Sequence, residues 1–258
     1  MSGQITRRLK PEEEEILRKR VELAAIRATL AEREVELVDL RSQLAAFEGR
    51  YLRQVGALYA ELDEWKARIS ELHARLDPSA AANARAHEAR EQARQTYEDA
   101  HGKASETHDF TPSPELRSLF REVAKRIHPD FCTDAADSER RPRFMAEANR
   151  AYQASDADAL QRILDEYQDG ADAVKGEGIG AELIRIIRQI SHAKERVAAI
   201  ERELAALGQS EIALLKKQAE EREQAGGDLL AELATDVRQQ IERTKKEYEA
   251  LAKQDKPS

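Results

Sequence analysis

An apolar residue returns at every seventh position from Ile16 to Leu72: Ile16, Leu23, Leu30, Leu37, Leu44, Tyr51, Leu58, Trp65 and Leu72. A strand would show a period of two. Nine positions in one heptad register call instead for a long helix with a coiled-coil seam. Pro11 followed by Glu12 to Glu15 marks its start, because proline suits the first turn and carboxylates suit the positive end of the helix dipole. Pro78 marks its end. The second seam position shifts along the way. It lies three residues after the first at Ile26, Leu40 and Phe47, with Lys19 and Arg33 as polar exceptions, and four after at Val55, Leu62, Ile69 and Leu76. Phe47, Tyr51 and Val55 are therefore two consecutive fours, a stutter that locally unwinds a coil. Val21, Ala28 and Val35 widen the apolar face near the start. The seam partner is either a second copy, giving self-association, or the helices near the C-terminus.

The composition extends this pattern to the rest of the chain. Charged residues make up 36% and aromatics 5% of 258 residues, with 11 Gly and 7 Pro. That profile implies an all-α protein of long helices, not a single large core. The chain divides into 1–10, a flexible N-terminus; 11–78, the long coil; 79–112, a polar helix solvated in its first half and then a linker; 113–169, a small helical module. There follow 170–180, a Gly-rich linker; 181–225, an amphipathic helix through Leu183, Ile187, Ile190, Val197, Ile200, Leu204 and Leu207; 228–252, a last helix through Leu230, Leu233, Val237, Ile241, Tyr248 and Leu251; and 253–258, a polar tail. Gly208 weakens the first of these helices, and Gly226-Gly227 break it.

Several function classes are disfavoured. A net charge of -8 and a pI near 5.5 give no global positive field for nucleic acid. The lone Cys132 excludes an internal disulfide and any Cys-based zinc site, and His73, His87, His101, His108 and His192 lack metal-ligand spacing. No phosphate loop or Gly-x-Ser-x-Gly occurs, so neither catalysis nor a cofactor is expected. No stretch reaches the length of a membrane span, and no apolar run follows the N-terminal charges; the expectation is a cytoplasmic protein.

The module at 113–169 carries the chemistry. Ser113, Pro114 and Glu115 start a helix as cap, first residue and acid. Leu116, Phe120, Val123 and Ile127 share one face. Arg117, Arg121 and Lys125, spaced by four, form a cationic stripe on another, with Arg126 beside it. Pro129 stops the helix and biases His128 towards an extended backbone. On a following helix, roughly 141–154, Met145, Ala148 and Tyr152 repeat at helical spacing. Two short helices would pack together, and the loop between them would project His128 and Asp130 into solvent. The plainer reading has His128 as a ring cap on the preceding helix, the stripe as a solvated face and Cys132 as an incidental thiol.

The run from Leu119 to Asp130, Leu-Phe-Arg-Glu-Val-Ala-Lys-Arg-Ile-His-Pro-Asp, resembles the second helix and His-Pro-Asp loop of J-domains. Met145 to Tyr152, with Asn149, Ala151 and Tyr152, resembles their third helix. The resemblance covers about fifty residues and implies a co-chaperone that recruits a DnaK-type ATPase chaperone and stimulates its ATP hydrolysis. His128, Pro129 and Asp130 would be the trigger, and Arg117, Arg121, Lys125 and Arg126 would dock on an acidic surface of the chaperone. The sequence departs from the family where no first helix precedes Pro114 and where Phe131 replaces the usual lysine. Small residues, Ala154-Ser155, follow Tyr152, and no Gly/Phe-rich region or cysteine array is present. Leu160, Ile163, Leu164 and Tyr167 offer an apolar surface in place of the missing helix. The alternative is a scaffolding coiled-coil protein with a degenerate, non-stimulating module. The client is not legible.

Overall fold

A computed structural model of the chain describes residues 10–102, 110–132, 135–168 and 178–254. Residues 1–9 of the expected N-terminal segment, 103–109 and 170–177 of the expected linkers and 255–258 of the tail lie outside the described residues. Among the described residues every regular element is helical and no strand occurs. The elements are α1 (Pro11–Tyr51), a π-helical turn (Leu52–Gly56), α2 (Ala57–Leu76), α3 (Ala80–Gly102), α4 (Pro114–Ile127), a 3-10 turn (Pro129–Phe131), α5 (Ala135–Gln153), α6 (Ala157–Gln168), α7 (Ile179–Gly208), α8 (Glu211–Gln224) and α9 (Leu229–Ala252). None is long and apolar enough to cross a membrane, among the described residues.

The π-helical turn falls where the heptad register slips. A stutter must be absorbed somewhere, and a single i→i+5 turn does so without breaking the helical run. Two further elements differ from the sequence expectation. The helix expected over 181–225 is two helices: α7 ends at Gly208, and Ser210 caps α8 by accepting at Oγ from the Ala213 N–H, 3.3 Å. A glycine followed two residues on by a good N-cap ends one helix and begins another. The helix expected to be solvated over the first half of 79–112 buries Ala86, Ala93 and Ala100. Alanines seven residues apart form a seam too thin to register as hydrophobic patterning.

The chain divides into two compact units, residues 1–42 with 110–208 and residues 43–109 with 209–258. In the second, α2 and α3 form a hairpin. Ala60, Ala67 and Ala74 of α2 and the three alanines of α3 are all buried. Small residues let two backbones approach closely; a Cβ on Gly56 would lie 3.8 Å from that of Ala100. The hairpin is tied by Arg90, which bonds Glu71 (2.8 Å) and Glu64, and by Thr96 to Asp63 (3.0 Å). A larger core joins Phe47, Val55 and Leu62 to Leu230, Val237 and Ile241, with Trp65 set edge-on to Tyr248.

In the first unit α1 has two buried faces. Ile16, Leu23, Leu30 and Leu37 pack against Ile186, Ile190, Ala193 and Ile200 of α7. The two helices run parallel, since Arg20–Glu182, Glu34–Arg196 and Arg41–Glu203 all pair at the same sequence offset of 162. Here, then, a helix of the same chain covers the seam. Ala31, Val35 and Val38 form the second face, which packs against α4, α5 and α6. Of the residues expected to widen the apolar face, Val35 is buried, whereas Val21 and Ala28 are exposed.

Candidate functional site

The site is the loop between α4 and α5. Ser113 caps α4, its Oγ accepting from the Leu116 N–H at 3.1 Å, and Pro114 occupies the first helical position. This start sets the register that puts Leu116, Phe120, Val123 and Ile127 into one core with Met145, Ala148 and Tyr152 of α5. Leu160, Ile163, Leu164 and Tyr167 of α6 are buried in the same core. The helix stops at His128, whose backbone is extended (φ -56°, ψ 133°), as expected ahead of a proline. Pro129 then opens the 3-10 turn. The carbonyls left open at the end of α4 are collected by buried Arg141, whose Nη1 donates to Arg126 O (3.1 Å) and His128 O (3.4 Å).

The loop does not project His128 into solvent. The residue is 2% exposed. Its Nδ1 accepts from the Asp130 N–H at 3.2 Å, and its Nε2 donates to Glu34 Oε1 at 3.1 Å. Accepting at Nδ1 fixes the tautomer with the proton on Nε2, aimed at the carboxylate. Glu34 is itself 4% exposed and takes a second bond from Arg196 Nε at 2.9 Å. Burial pushes the Glu34 carboxyl up, but the His128 hydrogen bond and the Arg196 charge outweigh it and hold the group below the usual carboxylate range. A buried acid lies between an imidazole from the loop and a guanidinium from α7.

The position of Glu34 follows from helix geometry. At 3.6 residues per turn it lies roughly 40° round from Leu30, between the face that meets α7 and the face that meets α4. It is the residue of α1 that both neighbours reach. Next to it Phe131 is buried in the α1–α7 core, with the Arg27 guanidinium 4.5 Å from its ring centre and its carbonyl accepting from Gln189 Nε2 at 3.3 Å. An apolar side chain at this position therefore wedges the loop between two helices.

The cationic stripe is likewise met by α1. Arg117 Nε donates to Asp39 Oδ2 at 2.9 Å, and Arg121 makes a two-pronged contact with Glu32. Asp39 also accepts from the Tyr152 hydroxyl at 2.7 Å; burial and then that carboxylate push the phenol well above its ordinary value. Arg126 is exposed and pairs locally with Glu122, and Lys125 is half-buried. The stripe therefore splits into two residues engaged by α1, an exposed Arg126, and Lys125, which lines a cleft with Arg20, Arg27 and Glu182.

Asp130 lies at the rim. Its Oδ2 is buried, has no hydrogen-bond partner among the described residues, and stands 3.7 Å from His128 Nδ1. An open cleft of about 550 Å³ runs past it, lined also by Cys132, Arg185, Arg188 and His192. The described residues hold no group of three His, Cys, Asp or Glu arranged to bind a metal ion.

Sequence reasoning found the loop, the stripe and the module core. It missed Glu32, Glu34, Asp39, Arg141, Gln189 and Arg196. One signal was available: Glu34 stands inside a segment where Leu30, Ala31, Val35, Leu37 and Val38 leave little room for solvent on either side. Compared with known proteins, the chain matches no family model, no curated protein and no solved structure.

Proposed function

We propose that this chain is a J-domain-type co-chaperone, which recruits a DnaK-type ATPase chaperone and stimulates its ATP hydrolysis through His128, Pro129 and Asp130. The observation that supports it best is the construction of the loop. A cationic helix ends in a histidine whose ring grips the backbone of Asp130 across a proline-started turn, and a second helix returns through Tyr152. That is the arrangement of residues the resemblance calls for, with α6 and the second face of α1 supplying apolar surface to the module. Exposed Arg126 remains available for first contact with an acidic surface, with Lys125 half-exposed beside it. The reading goes with a cytoplasmic location, with no nucleic acid and no membrane as partner. The coils would serve targeting or oligomerisation.

A second reading has its own support. His128 is buried and two of the four docking charges are taken up by α1, as in a scaffolding protein whose module is only a packing unit. Single-turnover ATP hydrolysis by a DnaK-type chaperone separates the two. The co-chaperone stimulates hydrolysis, loses stimulation on His128→Gln, and binds less tightly on reversal of Arg121 and Lys125 to Glu, most clearly at low salt. A scaffold gives no stimulation in any form.

A further inference from the structure

We infer, resting on the co-chaperone reading, that α1 is an internal ligand of the module's docking surface. Glu32, Glu34 and Asp39 hold Arg121, His128 and Arg117 as an acidic partner helix would, and a partner gains those side chains only when the carboxylates release them, while the apolar faces of α1 stay in the core. The contact is ordered. Arg117 meets Asp39 and Arg121 meets Glu32, so rising numbers on α4 pair with falling numbers on α1 and the helices are antiparallel. Seven residues on α1 rise roughly 10 Å and four on α4 roughly 6 Å, a difference that two long arginine side chains span. The third carboxylate, Glu34, takes the histidine in the interior, with Arg196 behind it. The surface is thus selective for a helix presenting two carboxylates a heptad apart with a third between them.

The strength of the contact is unequal along its length. The Glu32, Arg117 and Arg121 side chains are 47%, 40% and 31% exposed. Such rim pairs are individually weak and screened by salt. His128 and Glu34 are buried, with the Arg196 side chain 37% exposed behind them, and removing one member of the buried pair leaves the other unsatisfied. That pair is the lock, and the rim is where a competing acidic surface enters, beginning at exposed Arg126. A ligand tethered in the same chain competes at high effective concentration. The partner's apparent affinity then falls by the fraction of molecules in which the surface is open.

The test uses the full chain, with two readouts: modification of His128 by diethylpyrocarbonate, read by mass spectrometry, and single-turnover ATP hydrolysis by a DnaK-type chaperone. In the wild type, His128 is protected and stimulation is weak. Glu32→Lys/Glu34→Ala removes the lock and reverses the rim; His128 should react, and hydrolysis should accelerate, each by about tenfold, a typical coupling between two states. Glu32→Lys alone leaves the interior untouched and should shift both readouts the same way by about threefold, within the range expected for a surface pair. Adding His128→Gln to either variant should remove the gain in hydrolysis. Full stimulation by a wild type whose His128 stays protected overturns the inference and leaves the co-chaperone reading standing. His128 reactivity unchanged in both variants also overturns it. A reactive His128 with no stimulation in any variant instead overturns the co-chaperone reading, and the inference with it.

Discussion

From Ile16 to Leu37 the heptad stripe packs on α7 and shares its helix with a second buried face, whereas from Phe47 to Trp65 it contributes to a core with α8 and α9. The periodicity is the same in both stretches, but the interiors are not. The buried polar residues among those described, Glu34, His128, Arg141 and Gln189, all lie in the first unit. The second is sealed by aliphatic and aromatic residues and an alanine seam. Burying a charged network costs desolvation that an apolar interior avoids and is weak evidence for stability. Its concentration around one loop therefore points to the loop as the part of the molecule with a task beyond holding together.

That contrast is open to measurement. The lone tryptophan, Trp65, belongs to the second unit, so its fluorescence follows that unit alone. The largest effect is expected from Phe120→Ala, which empties a fully buried position in the first unit. It should cost about 3–5 kcal/mol there. Denaturation followed by helicity should become biphasic while the Trp65 transition stays in place; a matching shift of both would mean that the units do not unfold separately.

Next comes the reciprocal change, Ala67→Leu, in the α2–α3 seam. Ala67 is fully buried among small residues, and overpacking should cost up to about 3 kcal/mol. The Trp65 transition should move while diethylpyrocarbonate protection of His128 is retained.

His128→Gln should cost about 1–2 kcal/mol, within the range for disturbing a buried hydrogen-bonded group. An exposed loop histidine would cost under about 0.5 kcal/mol. Urea midpoints of the first-unit transition decide between these values.

Acid should act in the same direction. The Glu34 carboxyl is held below the usual range, so its contribution is complete above the unfolded carboxylate value of about 4.3 and is lost as pH falls through the lower folded value. The first unit should weaken between those two values, and Glu34→Gln should flatten that slope. An unchanged slope in the variant would remove Glu34 from the account. The smallest effect belongs to Glu203→Ala. It breaks the half-exposed pair with Arg41 and should shift stability by less than about 1 kcal/mol, fading with added salt.

How much of this was legible depends on the range of the interaction. Most of the helices, two of their starts and the place where the register slips follow from residues within a turn or two of one another: Pro11 with its acids, Ser113-Pro114-Glu115, and the four-four spacing at Phe47, Tyr51 and Val55. The α4 core face and its cationic stripe were readable for the same reason. The alanine seam was not, because alanine is scored as weakly apolar wherever it falls. The break at Gly208 was visible only as a weakness, since a single glycine is tolerated in a helix.

The sequence by itself determined an all-helical chain, a heptad seam, and a loop that places histidine, proline and aspartate between two helices. The tertiary structure decided what those parts face. Glu34 and His128 are 94 residues apart, and Glu34 and Arg196 are 162 apart. No local pattern links an acid in a coil to a histidine in a loop, because the same acid at the same heptad position would be an ordinary surface charge if α4 and α7 packed elsewhere. Burial is a property of the assembled unit, and burial turned an expected exposed trigger into a ring held between two helices.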